Sequence, residues 1–220
     1  MNKAIRVCSL LERAYGRREF KPHNPPLDEL ILTVLSQNTS GKNCVCAYKS
    51  LREHFPSWED VIKADARDIE ESIKIGGLGR LKAARIKKIL QRIFAETGSL
   101  DISWLAEKDI NQAREWLMSF EGIGYKTSAC VMLFSFGLPV LPIDTHIRRV
   151  SERIGLVRTG LSDADIHKEL PPAIPAEQVY SFHLNMIEHG RRICRAINPN
   201  CGRCVLSGEC CWYAKTRTAR

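Results

Sequence analysis

The chain lacks any long hydrophobic run. Its hydrophobic residues make up 44% of 220 positions but are broken into short stretches, whereas a membrane-spanning helix needs about 20 consecutive apolar residues. The N-terminal stretch Met1 to Leu10 sets Lys3 and Arg6 into a short apolar pattern and resembles neither a secretory leader nor an anchor. No membrane partner is expected, and the expected location is cytoplasmic, in association with the nucleoid. The period-2 alternation of half-buried strands is missing as well, and so is any low-complexity tract or long linker. Two domains, if present, would therefore share a close interface of the kind that forms a cleft. A disulfide framework is also excluded: the nine cysteines are odd in number, and five of them crowd between Cys194 and Cys211, which points to reduced thiols and a metal site.

What the chain does have is apolar spacing at helical period nearly from end to end, so the expected fold class is all-α. Helices are predicted near Lys3–Tyr15, Leu27–Leu35, Lys42–His54, Trp58–Lys63, Asp68–Ile73, Lys82–Glu96, Ile110–Ser119, Thr127–Phe136, His146–Ile154, Asp163–Leu170 and Ala176–Arg191, with Ser57 and Ser162 as N-caps. The segment Thr127–Phe136 is apolar almost all round, which predicts a central buried helix. Cys8, Cys44, Cys46 and Cys130 fall in helical patterns and are expected to pack as small apolar residues. A formal charge of +8 points toward a polyanionic partner, because Lys and Arg gain free energy by releasing counterions from a phosphate backbone. Charge alone does not separate DNA from RNA or a membrane surface.

Two motifs narrow the choice. In Phe120-Glu121-Gly122-Ile123-Gly124-Tyr125, two glycines form a tight turn between helices. Gly122 and Gly124 would let backbone amides at a helix N-terminus approach an anion, although a bare G-x-G also serves as an ordinary helix connection. Here it is followed by Lys126-Thr127, and later by Ile143-Asp144-Thr145-His146. Near the end of the sequence, Cys194, Cys201, Cys204 and Cys210 follow the spacing C-x6-C-x2-C-x5-C, suited to four thiolates round one [4Fe–4S] cluster. Structural zinc is the competing reading, and Cys211 competes with Cys210 as fourth ligand. Arg191, Arg192, Arg195 and Arg203 crowd this loop, either to meet phosphates or to offset thiolate charge.

With these residues assembled, the chain resembles the endonuclease III family of helix-hairpin-helix DNA glycosylases over nearly its whole length. The resemblance rests on FEGIGYKTSA, PIDTHIRRV and the cysteine spacing, in that order. It implies a six-helix barrel domain (22–135) and an iron–sulfur domain (1–21 and 136–220), with DNA crossing between them. It further implies Lys126 as nucleophile, Asp144 as the second catalytic residue, Gln37 filling the gap left by an extruded nucleotide and Leu78 pressing on the opposite strand. Phe120 and Glu121 depart from the commoner hairpin L-P-G-V-G, and Gly79-Arg80 from the larger polar residues often beside the wedge; both departures bear on substrate preference. Arg195 and His146 are candidate DNA contacts, His146 equally a packing residue.

The implied activity is removal of oxidised pyrimidines followed by strand cleavage at the abasic site. The expected partner is double-stranded DNA with damaged bases or abasic sites, bound by a monomer. A monofunctional mismatch glycosylase and a non-catalytic, redox-sensing DNA binder are the alternatives. A lysine is neutral in only about one molecule in a few thousand at pH 7, so Lys126 is expected to be desolvated against the apolar helix that follows it. Asp144 is also expected to act as a helix N-cap.

Overall fold

The computed structural model describes residues 2–218. It is all-helical, with no strand among the described residues. The α-helices are α1 (Lys3–Tyr15), α2 (Pro26–Ser36), α3 (Gly41–His54), α4 (Trp58–Lys63), α5 (Ala66–Ile73), α6 (Gly79–Thr97), α7 (Ile110–Met118), α8 (Tyr125–Phe136), α9 (Thr145–Ile154), α10 (Asp163–Glu169), α11 (Val179–Arg192) and α12 (Cys211–Thr218). Among the described residues no helix is long and apolar enough to cross a membrane.

The chain divides into two compact units. One is Pro22–Leu138, which carries α2 to α8; the other joins Met1–Lys21 to Pro139–Arg220 and carries α1 and α9 to α12. In the first unit α8 runs through the core. Thr127 through Phe134 are all buried, because a helix apolar on every side is stable only when neighbours cover every side. Its chief neighbour is α2, whose Leu30, Ile31, Val34 and Leu35 are fully buried, and α7 packs beside it. In the second unit α11 packs against α1 and α9, and α12 packs on α9.

The ends of the helices follow local chemistry. Ser57 and Asp60 form a reciprocal capping box at α4, and the Ser162 hydroxyl accepts from Asp165 N at α10. The structure moves the predicted starts of α5, α6, α8 and α11, with α8 beginning at Tyr125. α5 begins at Ala66, capped by the Asp65 side chain. α6 begins at Gly79, directly after Leu78, and α11 begins at Val179 after a 3-10 turn over Ala176–Gln178. α12 was not among the predicted helices, because its first residue belongs to the cysteine run. Cys8, Cys44 and Cys130 are buried; burial pushes the Cys8 thiol up to about 12, which leaves it an inert packing group.

Glu29 in α2 is buried, with Asn24 Nδ2 donating to its Oε2 at 2.8 Å. Burial raises its pKa, and the Asn24 hydrogen bond only partly opposes this. A carboxyl that keeps its proton to higher pH when folded contributes stability that is complete below the unfolded pKa and is lost as pH rises through the folded one. Glu29→Gln keeps the acceptor without the charge. The variant should melt a few degrees above the wild type at pH 7–8, and the gap should close toward pH 4. A gap independent of pH across that range would show that Glu29 is not the cause.

Candidate functional site

α7 and α8 are joined by a short hairpin. Phe120 and Ile123 are buried and pin it to the core, and Ile123 N donates to Phe120 O at 3.1 Å to close the turn. Gly122 takes φ +78°, which favours glycine, and a Cβ there would collide with the Arg85 guanidinium. Gly124 is different: its backbone is ordinary and a Cβ would meet nothing within 4 Å. The fold itself does not demand a glycine at that position, which leaves the α8 N-terminus open to close approach from outside. α8 begins with no side-chain cap, so its first amides face outward with the positive end of the helix dipole.

Lys126 lies in this first turn and is exposed. The expectation that α8 itself desolvates Lys126 is therefore not met. The buried surface of α8 begins one residue later, at Thr127, since the hairpin lifts the first turn clear of the core. Any removal of water from the amine falls to whatever binds over it.

Gln37 follows α2 and is locked to the same hairpin. Its Nε2 donates to Gly122 O at 3.0 Å and stands 3.5 Å from Thr127 Oγ1, while its Oε1 accepts from Arg85 Nη1 at 2.7 Å. Leu78 lies apart from this network, immediately before α6. It is 53% exposed and has φ +53°, a left-handed conformation rare for a branched apolar side chain. Lys82 holds the strained loop. Only 1% exposed, it donates through Nζ to Gly76 O at 2.9 Å and to Leu35 O at 2.8 Å. It thus ties the Leu78 loop to the end of α2, two residues before Gln37. Burial lowers the Lys82 pKa.

In the other unit Asp144 caps α9. Its Oδ1 accepts from His146 N at 2.9 Å and Ile147 N at 2.8 Å, and among the described residues its Oδ2 has no hydrogen-bond partner. His146 packs: its Nδ1 meets Arg149 Nη2 at 3.0 Å, and a Cβ on Gly190 of α11 would come within 2.9 Å of His146 Cβ. Two arginines of α9, Arg149 and Arg153, reach the cysteine loop. Arg149 Nε donates to Cys194 O at 3.0 Å. Arg153 Nη1 donates to Arg195 O at 2.7 Å and approaches Cys194 Sγ at 3.4 Å.

Cys194, Cys201, Cys204 and Cys210 line one cavity, whose wall also carries Ile154, Ile193 and Pro199. Cys211 does not line it; its thiol lies 3.5 Å from Lys3 Nζ. Among the described residues no group of three or more His, Cys, Asp or Glu side chains is placed to hold a metal ion. Burial pushes Cys204 up to about 11 and also raises Cys201, and the neighbouring thiols add to both. Cys204 Sγ lies 3.5 Å from His189 Nε2, and His189 Nδ1 meets Tyr15 OH at 2.8 Å. Burial brings His189 down to about 4. Glu209 in the loop takes a bidentate pair from Arg6 of α1, at 2.8 and 3.0 Å. Arg195 is exposed and donates to Asn198 O at 3.1 Å.

Sequence reasoning did not identify Lys82, Arg85, Arg149, Arg153 or His189. For two of these a signal was present. Lys82 shares the apolar stripe of Ile86, Ile89 and Ile93, and His189 shares that of Phe182 and Met186, so each is a polar residue at a core register.

Comparison with known proteins agrees with this arrangement. The family model described as HhH-GPD superfamily base excision DNA repair protein matches residues 31–175. Endonuclease III of Sulfolobus acidocaldarius is 35% identical over 186 residues, which is 84% of this chain and 81% of that protein. A relative from Arabidopsis thaliana is 34% identical over 174 residues, 79% of this chain, but the match spans only 59% of that longer protein. The structure of a non-covalent endonuclease III–DNA complex superposes with a TM-score of 0.81 at 29% identity, covering 100% of both chains. The chain therefore belongs to the HhH-GPD superfamily of base excision DNA repair proteins, and within it to the endonuclease III type.

Proposed function

We propose that the protein is a DNA glycosylase that removes damaged pyrimidines from double-stranded DNA and then cleaves the strand at the abasic site by β-elimination. The observation that carries this reading is the hairpin: an exposed lysine in the first, uncapped turn of a buried helix, beside a glycine that leaves room for a phosphate. Amides at such a terminus hold a backbone phosphate in place, and a rigid core behind the lysine fixes where its amine stands.

A base inside the duplex is out of reach, so the damaged nucleotide must turn out of the stack. Gln37 and Leu78 are assigned the vacated space and the opposite strand. Lys126 Nζ then attacks C1′ of the sugar, the C1′–N bond breaks and the base leaves with the bonding electrons. The sugar ring opens to a Schiff base with Lys126. Loss of a proton from C2′ expels the 3′ phosphate, and water releases the lysine. Asp144, held in place by the two backbone N–H groups that donate to its Oδ1, is assigned the positive charge developing on the sugar. Reductive trapping tests the reading: borohydride added to the protein with a thymine-glycol duplex should give a covalent protein–DNA band. No band on that duplex or on an abasic duplex would show that no Schiff base forms, which leaves the monofunctional reading.

The four thiols round the cavity are assigned to a [4Fe–4S] cluster. The donor set fits it, because soft thiolates of this kind hold iron–sulfur groups, and Arg153 Nη1 and the Tyr213 amide both approach sulfur at 3.4 Å. When bound, the cluster supplies a cross-link that fixes the loop bearing Arg195 and Arg203. Cys204→Ser should purify with several-fold less iron and a lower melting temperature, whereas Cys211→Ser should hold iron like the wild type. Zinc in place of iron in anaerobically purified protein would overturn the assignment.

A further inference from the structure

The segment that leads into α6 is an exposed apolar knuckle with a buried cation beneath it. Ile75, Leu78 and Leu81, spaced three residues apart, are all exposed, and large apolar side chains grouped in this way on a surface mark a place where something docks. Gly77 and Leu78 both take positive φ, +67° and +53°. Glycine adopts that conformation freely, but at Leu78 it costs free energy that the surroundings must offset. Lys82 grips the two residues from both ends. Its backbone N–H donates to Leu78 O at 3.0 Å, and its Nζ donates to Gly76 O at 2.9 Å. The second Nζ bond, to Leu35 O at 2.8 Å, anchors that grip to the last turn of α2.

Packing does not account for a lysine here. The position lies on an apolar stripe where Met or Leu would fill the space without taking a charge out of water. Among the described residues no carboxylate forms an ion pair with the ammonium; both of its Nζ hydrogen bonds go to backbone carbonyls, one from the last turn of α2 and one from the 3-10 turn Lys74–Gly76. What the ammonium adds is the hold on the knuckle. Apolar wedges of this kind enter between base steps and unstack them, and Arg80, exposed between Leu78 and Leu81, brings charge that suits the phosphates beside such a step. We propose that Lys82 is a positioning residue for base extrusion: it holds Leu78 in its wedge conformation before DNA arrives. Unstacking then does not also bear the cost of ordering a loop. This rests on the glycosylase reading and adds to it a residue that touches neither base nor sugar and acts through Leu78.

The test compares single-turnover excision of thymine glycol from a fully paired duplex and from an unpaired bubble of the same sequence. The chemistry at the sugar is identical in both, but only the paired duplex must be unstacked. A ratio within one protein cancels any general loss of activity or fold. Lys82→Met should lower the paired rate at least about tenfold while the bubble rate stays within about twofold, and Leu78→Ala should give the same split. The double variant should lose no more than either single one, because two changes that act through one contact do not add. Lys82→Gln, which keeps one donor, should retain part of the paired rate, and it is read in the same way if Lys82→Met fails to fold. Equal loss on both substrates, no loss on the paired one, or losses that multiply in the double variant would each overturn the proposal. Failure of the glycosylase reading would show differently, as absence of excision by the wild type from either substrate.

Discussion

Lys126→Ala is expected to give no borohydride-trapped band on a thymine-glycol duplex or an abasic duplex, and to lose strand cleavage and base excision by at least about a thousandfold. The size follows from the role: without the amine no covalent intermediate forms, and no other residue of the hairpin carries a nucleophile that reaches outward. Thr127 is buried with the core, and Tyr125 stacks under Arg114 at 5.0 Å. The same substitution should hardly touch stability. Lys126 is exposed and makes no hydrogen bond or ion pair among the described residues, and such surface changes usually stay within about 0.5 kcal/mol. The pairing of a large catalytic loss with an unchanged melting temperature is the signature. A variant that retained the band would move the nucleophile elsewhere, and a duplex that still bound with wild-type affinity would place Lys126 in chemistry and not in phosphate contact.

How much of this was readable beforehand depends on what kind of interaction holds each residue. Helices set by local signals were legible: the capping serines at 57 and 162 and the all-apolar α8 follow from residues within one or two turns. The hairpin was legible because its glycines and lysine are contiguous. The network around Gln37 was not, since Arg85 lies 48 residues away and an arginine in the basic run Arg80–Lys88 reads as a solvated face. Lys82 left one signal, its place on the apolar stripe of Ile86, Ile89 and Ile93, but its partners are the backbone carbonyls of Leu35 and Gly76, which leave no trace in the pattern of side chains. The exposure of Lys126 was misjudged because the helix was read as apolar from its first turn, while the hairpin geometry decides where burial starts. In the cysteine loop, spacing alone left Cys210 and Cys211 as rivals. The turn over Ser207–Glu209 brings Cys210 to the cavity and starts α12 at Cys211.

Asp144→Asn separates the two roles that one aspartate can hold. Asn and Asp are about equally good N-caps, so the Asn side-chain oxygen can take over the amides of His146 and Ile147, and α9 should begin where it does now. That matters because α9 carries Arg149 and Arg153 to the cysteine loop; a change that loosened the helix start would disturb the loop and confuse the result. What Asn cannot supply is the negative charge. In the free protein that charge is partly spent on two N–H groups through Oδ1, and Oδ2 is the oxygen left for chemistry. Removing it should slow base excision by about 10²–10⁴-fold, the usual range for a positioned acid–base or charge-stabilising group, with melting temperature and DNA affinity close to wild type. Asp144→Ala should show the same catalytic loss and, in addition, cost about 1 kcal/mol of stability from the missing cap. If Asn restored full activity, Asp144 would be a cap alone, and the charge that stabilises the sugar would have to come from another residue.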